Sequence, residues 1–375
     1  MKKMNWHVLF MGFILLNLGH ALACSTFKLQ KGHVLIYGHN LNEGDIGVPG
    51  MIFINKRGIF KQGRTWDELI TKDCSNPSQY FWISKYGSVT FNVFGRDFPD
   101  GGMNEVGLYI WEMNESADYP VNDSLPKLDQ MNWMQYILDH CATLDEAIQC
   151  AHEIAVTGWG WHFFIGDAMG ASAAVAFIDG KVRVNCDERM PVPGLFNTPY
   201  DREMELLRYY KGFGGFYDPV LNDPMVPRFV KTAIMIRDYD VSLDPVDYGF
   251  YMLETLTVFD VPEWSVIFDV RNMNVYYKTR LHPEVKQLSM GNLNFSNKTP
   301  VQMLNMDARG RGDVLDRFHP FSNNEMRQFI EANVLPILPE GFFTMGGLSL
   351  EEFLDRFSSH TDGVLKPDNQ YFIGT

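Results

Sequence analysis

Short runs of apolar residues, broken by turn-forming pairs, mark the first third of this chain as strand-rich. Cys24 to Gln30 and His33 to Gly38 read as two strands, with Lys31-Gly32 between them as a tight hairpin signal. Met51 to Asn55, Phe81 to Val93 and Gly107 to Trp111 continue the β pattern. The period then lengthens. Asp129 to His140 and Thr143 to Ile154 carry apolar residues at helical spacing, with Thr143 placed to cap the second helix. Trp161 to Asp167 and Ala171 to Ile178 predict another hairpin, turning at Met169-Gly170. Helices are predicted over Asp201 to Tyr210, Arg228 to Asp238 and Pro245 to Thr257, and strands over Trp264 to Val270 and Val275 to Thr279. Two further helices, Asn323 to Ala332 and Ser349 to Ser358, fall in the tail, and the Pro/Gly/Asp-rich stretch Phe213 to Pro227 reads as a surface loop. Hairpin-linked strands alternating with helix pairs predict antiparallel sheets covered by helices, not a doubly wound parallel fold.

The first residues follow a different rule. Lys2 and Lys3 precede an apolar run from Val8 to Leu18, and Ala21-Leu22-Ala23 closes it: the charged, apolar and small-x-small order of a secretory signal. Residues 1–23 are therefore expected to be a signal peptide, and residues 24–375 a single domain. Cleavage after Ala23 leaves Cys24 with a free α-amine. A thiol and an amine on one residue make a nucleophile with its own base, because an α-amine with a pKa of about 7.7–8.0 exchanges protons near neutrality. Ala21-Leu22-Ala23-Cys24 is also close to a lipobox, and lipidation at Cys24 would block that amine.

Composition narrows the choices. Hydrophobic residues make up 46% of the 375, enough for a substantial core. The formal charge of −14 becomes −16 once Lys2 and Lys3 leave with the signal, which argues against nucleic acid or an anionic membrane surface as partner. No second long apolar run follows, so no membrane span is expected in the mature chain. Besides Cys24 there are Cys74, Cys141, Cys150 and Cys186, which an oxidising compartment could join into two disulfides or none. No Cys/His metal spacing occurs, and four N-x-S/T sequons begin at Asn114, Asn122, Asn294 and Asn297.

Several motifs line up behind Cys24. Cys24-Ser25-Thr26-Phe27 is followed by Gly38-His39-Asn40-Leu41-Asn42, then by Asp100-Gly101-Gly102-Met103-Asn104-Glu105-Val106-Gly107-Leu108. Asn197-Thr198-Pro199-Tyr200, Pro227-Arg228-Phe229 and Trp264-Ser265-Val266-Ile267 come later. In this order the chain, from about Cys24 to Thr279, resembles the choloylglycine hydrolase family of linear-amide C–N hydrolases. That family includes bile salt hydrolases and penicillin V acylases. The resemblance implies the four-layer αββα sandwich of an N-terminal nucleophile hydrolase, within the α+β class. It assigns Cys24 as nucleophile, Asn104 and Asn197 as oxyanion or amine-orienting residues, and Arg228 as an arginine near the reacting centre.

Two positions depart from the family. Its G-R-N-x-D pattern reads Gly38-His39-Asn40-Leu41-Asn42 here, so His39 replaces an arginine and Asn42 an aspartate. A protonated His39 would supply the missing charge, making activity pH-dependent around the ordinary histidine pKa of about 6.5. Asn42 keeps an acceptor and loses the charge. The expectation is an exported hydrolase, periplasmic or secreted, acting on small-molecule N-acyl amides without metal or organic cofactor; homo-oligomerisation stays open. The alternative is a ligand-binding lipoprotein, or a retired relative of the same fold, anchored through Cys24.

Overall fold

A computed structural model describes residues 24–42, 48–257, 261–339, 341–359, 363–365 and 371–372. The expected signal peptide, residues 1–23, lies outside the described residues.

The strands are β1 (Ser25–Lys31), β2 (Val34–Leu41), β3 (Met51–Asn55), β4 (Ile59–Gln62), β5 (Phe81–Ile83), β6 (Ser88–Asn92), β7 (Gly101–Asn104), β8 (Tyr109–Asn114), β9 (Lys127–Asp129), β10 (Ala155–Thr157), β11 (Trp161–Gly166), β12 (Ser172–Ile178), β13 (Lys181–Cys186), β14 (Gly194–Leu195), β15 (Trp264–Asp269), β16 (Asn274–Thr279), β17 (Lys286–Ser289), β18 (Gln302–Asn305), β19 (Gly312–Asp313) and β20 (His319–Pro320). The helices that matter below are α1 (Trp66–Ile70), α2 (Gln130–His140), α3 (Leu144–Glu153), α4 (Tyr200–Leu207), α5 (Arg228–Asp238) and α6 (Pro245–Thr255).

Two largely antiparallel sheets stack. One runs β14-β1-β2-β15-β16-β17-β19, the other β13-β12-β11-β8-β7-β6-β3-β18-β20. Period-two alternation decides which side chains meet between them. Tyr37 stacks on Tyr109 with centroids 4.7 Å apart, and Phe268 of the first sheet meets Phe91, Tyr109 and Trp111 of the second. The opposite face of the first sheet is covered by α6, where Gly249 lies so close to Ile36 and Ile267 that a Cβ would stand 2.9 Å from each. The opposite face of the second sheet carries α2, with Trp133 edge-on to Phe163. The layers are therefore α, β, β, α, as the resemblance implied.

Local chemistry sets the helix starts. Asp129 caps α2 by accepting from the amides of Met131 and Asn132, and Thr143 forms a capping box with Glu146 at the head of α3. Phe81 to Val93, expected as one strand, divides into β5 and β6, which belong to different sheets. The strand expected over Gly107 to Trp111 starts later and runs further, to Asn114. Gly107 takes a φ of 86° in the turn that joins β7 to β8, a conformation available to glycine and costly for other residues. Among the described residues, no helix is long and apolar enough to cross a membrane.

Candidate active site

Cys24 stands immediately before β1 and is buried, with 1% of its surface exposed. Its thiol faces the backbone carbonyl of Asn42 at 4.0 Å, so the residue standing at the motif's aspartate position lies beside Cys24. Antiparallel register brings a second residue to it. β1 pairs with β14 as Thr26↔Leu195 and Phe27↔Gly194, and continuing that ladder by two residues sets Asn197 opposite Cys24.

Arg228 ties the two together. Its Nη1 donates to the Cys24 carbonyl at 2.6 Å and to Ser25 Oγ at 3.0 Å, and its Nη2 donates to Asn197 Oδ1 at 3.2 Å. The guanidinium also lies over the Phe196 ring, 5.1 Å from its centroid. Arg228 opens α5, the helix end where a cation is electrostatically disfavoured. Its side chain leaves the helix and serves Cys24 instead. Burial weakens its hold on the proton, while Cys24 and Glu203 strengthen it; an arginine stays charged under such a balance.

Asn197 Nδ2 donates to the carbonyl of Asn114 at 3.0 Å, and Asn114 Oδ1 accepts from Trp161 Nε1 at 2.8 Å. Asn114 is half-buried, and its own Nδ2 has no protein partner among the described residues. Behind Asn197, the Phe196 carbonyl is held by Nε2 of the buried His162. Cys24, Arg228, Asn197 and Asn114 thus form one connected group. Asn114 is the member that sequence reasoning misses. With β8 expected to stop at Trp111, an asparagine three residues later carries no meaning beyond its sequon.

Asn104 does not join this group, which corrects the expectation drawn from its motif. It is fully buried at the other end of β8. Its Nδ2 donates to the carbonyls of Leu138 and Cys141 at 2.9 and 2.8 Å, and its Oδ1 accepts from the amides of Val106 and Leu108 at 3.2 and 2.9 Å. Its own amide donates to the Leu108 carbonyl. Every polar atom is committed to shaping the β7–β8 turn and docking α2 against it. From Leu108 to Asn114 the strand spans about 20 Å at roughly 3.3 Å per residue.

His39 is placed near Cys24 but in the wrong chemical state for the role considered for it. It faces Thr26 across the β1–β2 ladder, stacks on Trp111 with centroids 4.1 Å apart, and is fully buried. Burial pushes its pKa well below the ordinary histidine value, so the ring is neutral and supplies no positive charge near neutral pH. Thr26 Oγ1 lies 3.2 Å from the Gly38 carbonyl and 3.1 Å from His39 Nδ1. Arg228 is the cation of this site. Among the described residues, no group of three or more His, Cys, Asp or Glu is arranged to hold a metal ion.

No family model matches the chain. It is 24% identical to a penicillin V acylase of Pectobacterium atrosepticum across 57% of this chain and 69% of that relative. Among solved structures, penicillin V acylase from Agrobacterium tumefaciens superposes with a TM-score of 0.68 at 21% identity, covering 80% of this chain and 98% of the other. An arginine-to-leucine variant of conjugated bile acid hydrolase from Clostridium perfringens superposes with a TM-score of 0.59 at 17% identity, covering 78% and 99%. These structural likenesses carry the fold, and the sequence match carries kinship. The chain is thus similar in sequence to a penicillin V acylase, and in fold to penicillin V acylase and conjugated bile acid hydrolase.

Proposed function

We propose that this chain is an exported hydrolase of linear amide C–N bonds in N-acyl compounds, with Cys24 as its N-terminal nucleophile once residues 1–23 are removed. The observation that carries this reading is the bond from Arg228 to the Cys24 carbonyl, made by a guanidinium that also holds Asn197. Fixing that carbonyl fixes the Cα of Cys24, and with it the directions of the thiol and the amine. The thiol proton passes to the α-amine as sulfur bonds to the substrate carbonyl carbon. Negative charge gathers on the carbonyl oxygen, where Asn114 Nδ2 and Asn197 supply the nearby amide donors. The C–N bond then breaks, the departing nitrogen takes the proton, and water hydrolyses the acyl-thioester to release the acid. The names of the relatives, penicillin V acylase and conjugated bile acid hydrolase, support amides with a bulky apolar acyl part.

The near-lipobox at Ala21-Leu22-Ala23-Cys24 is the one feature favouring a lipid-anchored reading. Against it stands the burial of Cys24, whose thiol faces the Asn42 carbonyl and whose own carbonyl is held by Arg228. Two measurements test the proposal. The intact mass of the processed protein should equal Cys24 to Thr375 without adduct. The Cys24→Ala variant should keep its thermal transition and lose turnover of penicillin V and conjugated bile acids; wild-type rates in that variant would remove Cys24 from the mechanism.

A further inference from the structure

Two further sulfur atoms, outside the group around Cys24, have no part in the chemistry above. Cys141 caps the C-terminal end of α2, and Cys150 lies within α3, nine residues later. Both are buried, and their Sγ atoms are 3.6 Å apart. Two sulfurs at van der Waals contact need to close by about 1.6 Å to reach a bond of roughly 2.05 Å. We propose that Cys141 and Cys150 are an oxidation site, forming an intramolecular disulfide that staples the end of α2 to α3.

The pair is polarised for this. Their mutual hydrogen bond lowers the Cys150 pKa from the ordinary thiol value and raises that of Cys141. Cys150, the more exposed of the two at 8% against 2%, therefore supplies the attacking thiolate. With a small-molecule disulfide as oxidant, Cys150 sulfur bonds to one sulfur of that disulfide and expels the other as a thiolate. Cys141 then gives up its proton, attacks the Cys150 sulfur and expels the second thiolate. Two protein thiols lose two electrons, and one external disulfide becomes two thiols that take up both protons. The staple has a structural partner. The Cys141 carbonyl is one of the two that Asn104 holds, so the link locks the α2 end against the β7–β8 turn. The remaining pair is not placed for the same reaction, since Cys74 follows α1 and Cys186 ends β13.

The test uses the purified full-length chain, fully reduced and then equilibrated with oxidised glutathione. Free thiols are alkylated before a non-reducing digest. The expected result is one Cys141–Cys150 peptide lighter by two hydrogens, alkylated Cys74 and Cys186, and a thermal transition higher than in the reduced protein. Cys150→Ser should show neither the link nor the oxidant-dependent rise, while matching the wild type in reductant. Alkylation of both residues after oxidation, a glutathione adduct that persists on Cys150, or a link to Cys74 or Cys186 would each overturn the proposal. This chemistry is read on isolated protein, so its outcome is independent of whether the chain is exported.

Discussion

Replacing Asn104 by alanine separates two roles that a motif alone cannot tell apart. As an oxyanion donor, the residue would contribute about 2.7–4 kcal/mol to the transition state, and its loss would lower kcat by roughly 10²–10³ without unfolding the protein. The geometry assigns the effect to stability instead. Truncation leaves the buried Leu108 amide without its acceptor, at about 1–3 kcal/mol. The carbonyls of Leu138 and Cys141 each lose a donor, at about 1 kcal/mol apiece, while Val106 is exposed enough for water to replace its bond. The total is about 3–5 kcal/mol of unfolding free energy. The assay pairs urea unfolding with kcat per titrated active site, so that loss of folded protein is not counted as loss of chemistry. A lower midpoint with kcat within about threefold of wild type is the expected result. A thousandfold drop in kcat at an unchanged midpoint would refute the structural role and return Asn104 to the reacting centre.

Asn114→Ala should lower kcat about 10²-fold, because it removes the proposed oxyanion donor while the carbonyl that holds Asn197 survives; Trp161 Nε1 loses its acceptor, at about 1–3 kcal/mol, so the midpoint falls as well. Arg228→Lys keeps the charge but cannot hold the Cys24 carbonyl, Ser25 Oγ and Asn197 together; kcat should fall by one to two orders of magnitude while differential scanning calorimetry shows a folded protein. Acid should destabilise the fold through its buried histidines. Burial takes His162 down to about 4 and lowers His39 as well, so the unfolded chain binds more protons as pH falls through the ordinary histidine range. Stability conferred by keeping these rings neutral is complete above pH of about 6.5 and is lost progressively towards pH 4, by roughly 3 kcal/mol for His162 alone. Thermal melts across that range should show it, whereas kcat should have no inflection assignable to a His39 imidazolium; a loss of rate between pH 6 and 7 that disappears in His39→Gln would contradict the neutral assignment.

Much of this architecture is legible in the amino-acid sequence. The β1–β2 hairpin, the Thr143 cap, α5 and the β15–β16 pair follow from turn residues and periodicity, which act over a few positions. Arg228 stands out because it heads a helix within a motif, although charge alone disfavours it there. What stays hidden depends on register and burial. Asn104 and Asn114 are chemically alike and ten residues apart, and only the true extent of β8 reveals which one joins Asn197 and Arg228 in the hydrogen-bonded group at Cys24. His39 sits where a cation is expected, yet its charge is set by burial, to which neighbours on other strands such as the stacked Trp111 contribute.

The two-residue strand β14 has a consequence for tolerance to insertions and deletions. Its pairing with β1 is the last fixed step before Asn197, and side chains alternate faces along a ladder. One residue added between Leu195 and Asn197 would turn the asparagine away from Cys24 and offer Arg228 its neighbour. The same residue added in the exposed stretch between Lys211 and Val226 would leave every contact of the site in place. Length variation among natural relatives, and in any deletion library, should therefore gather in that stretch and vanish from the few positions after β14.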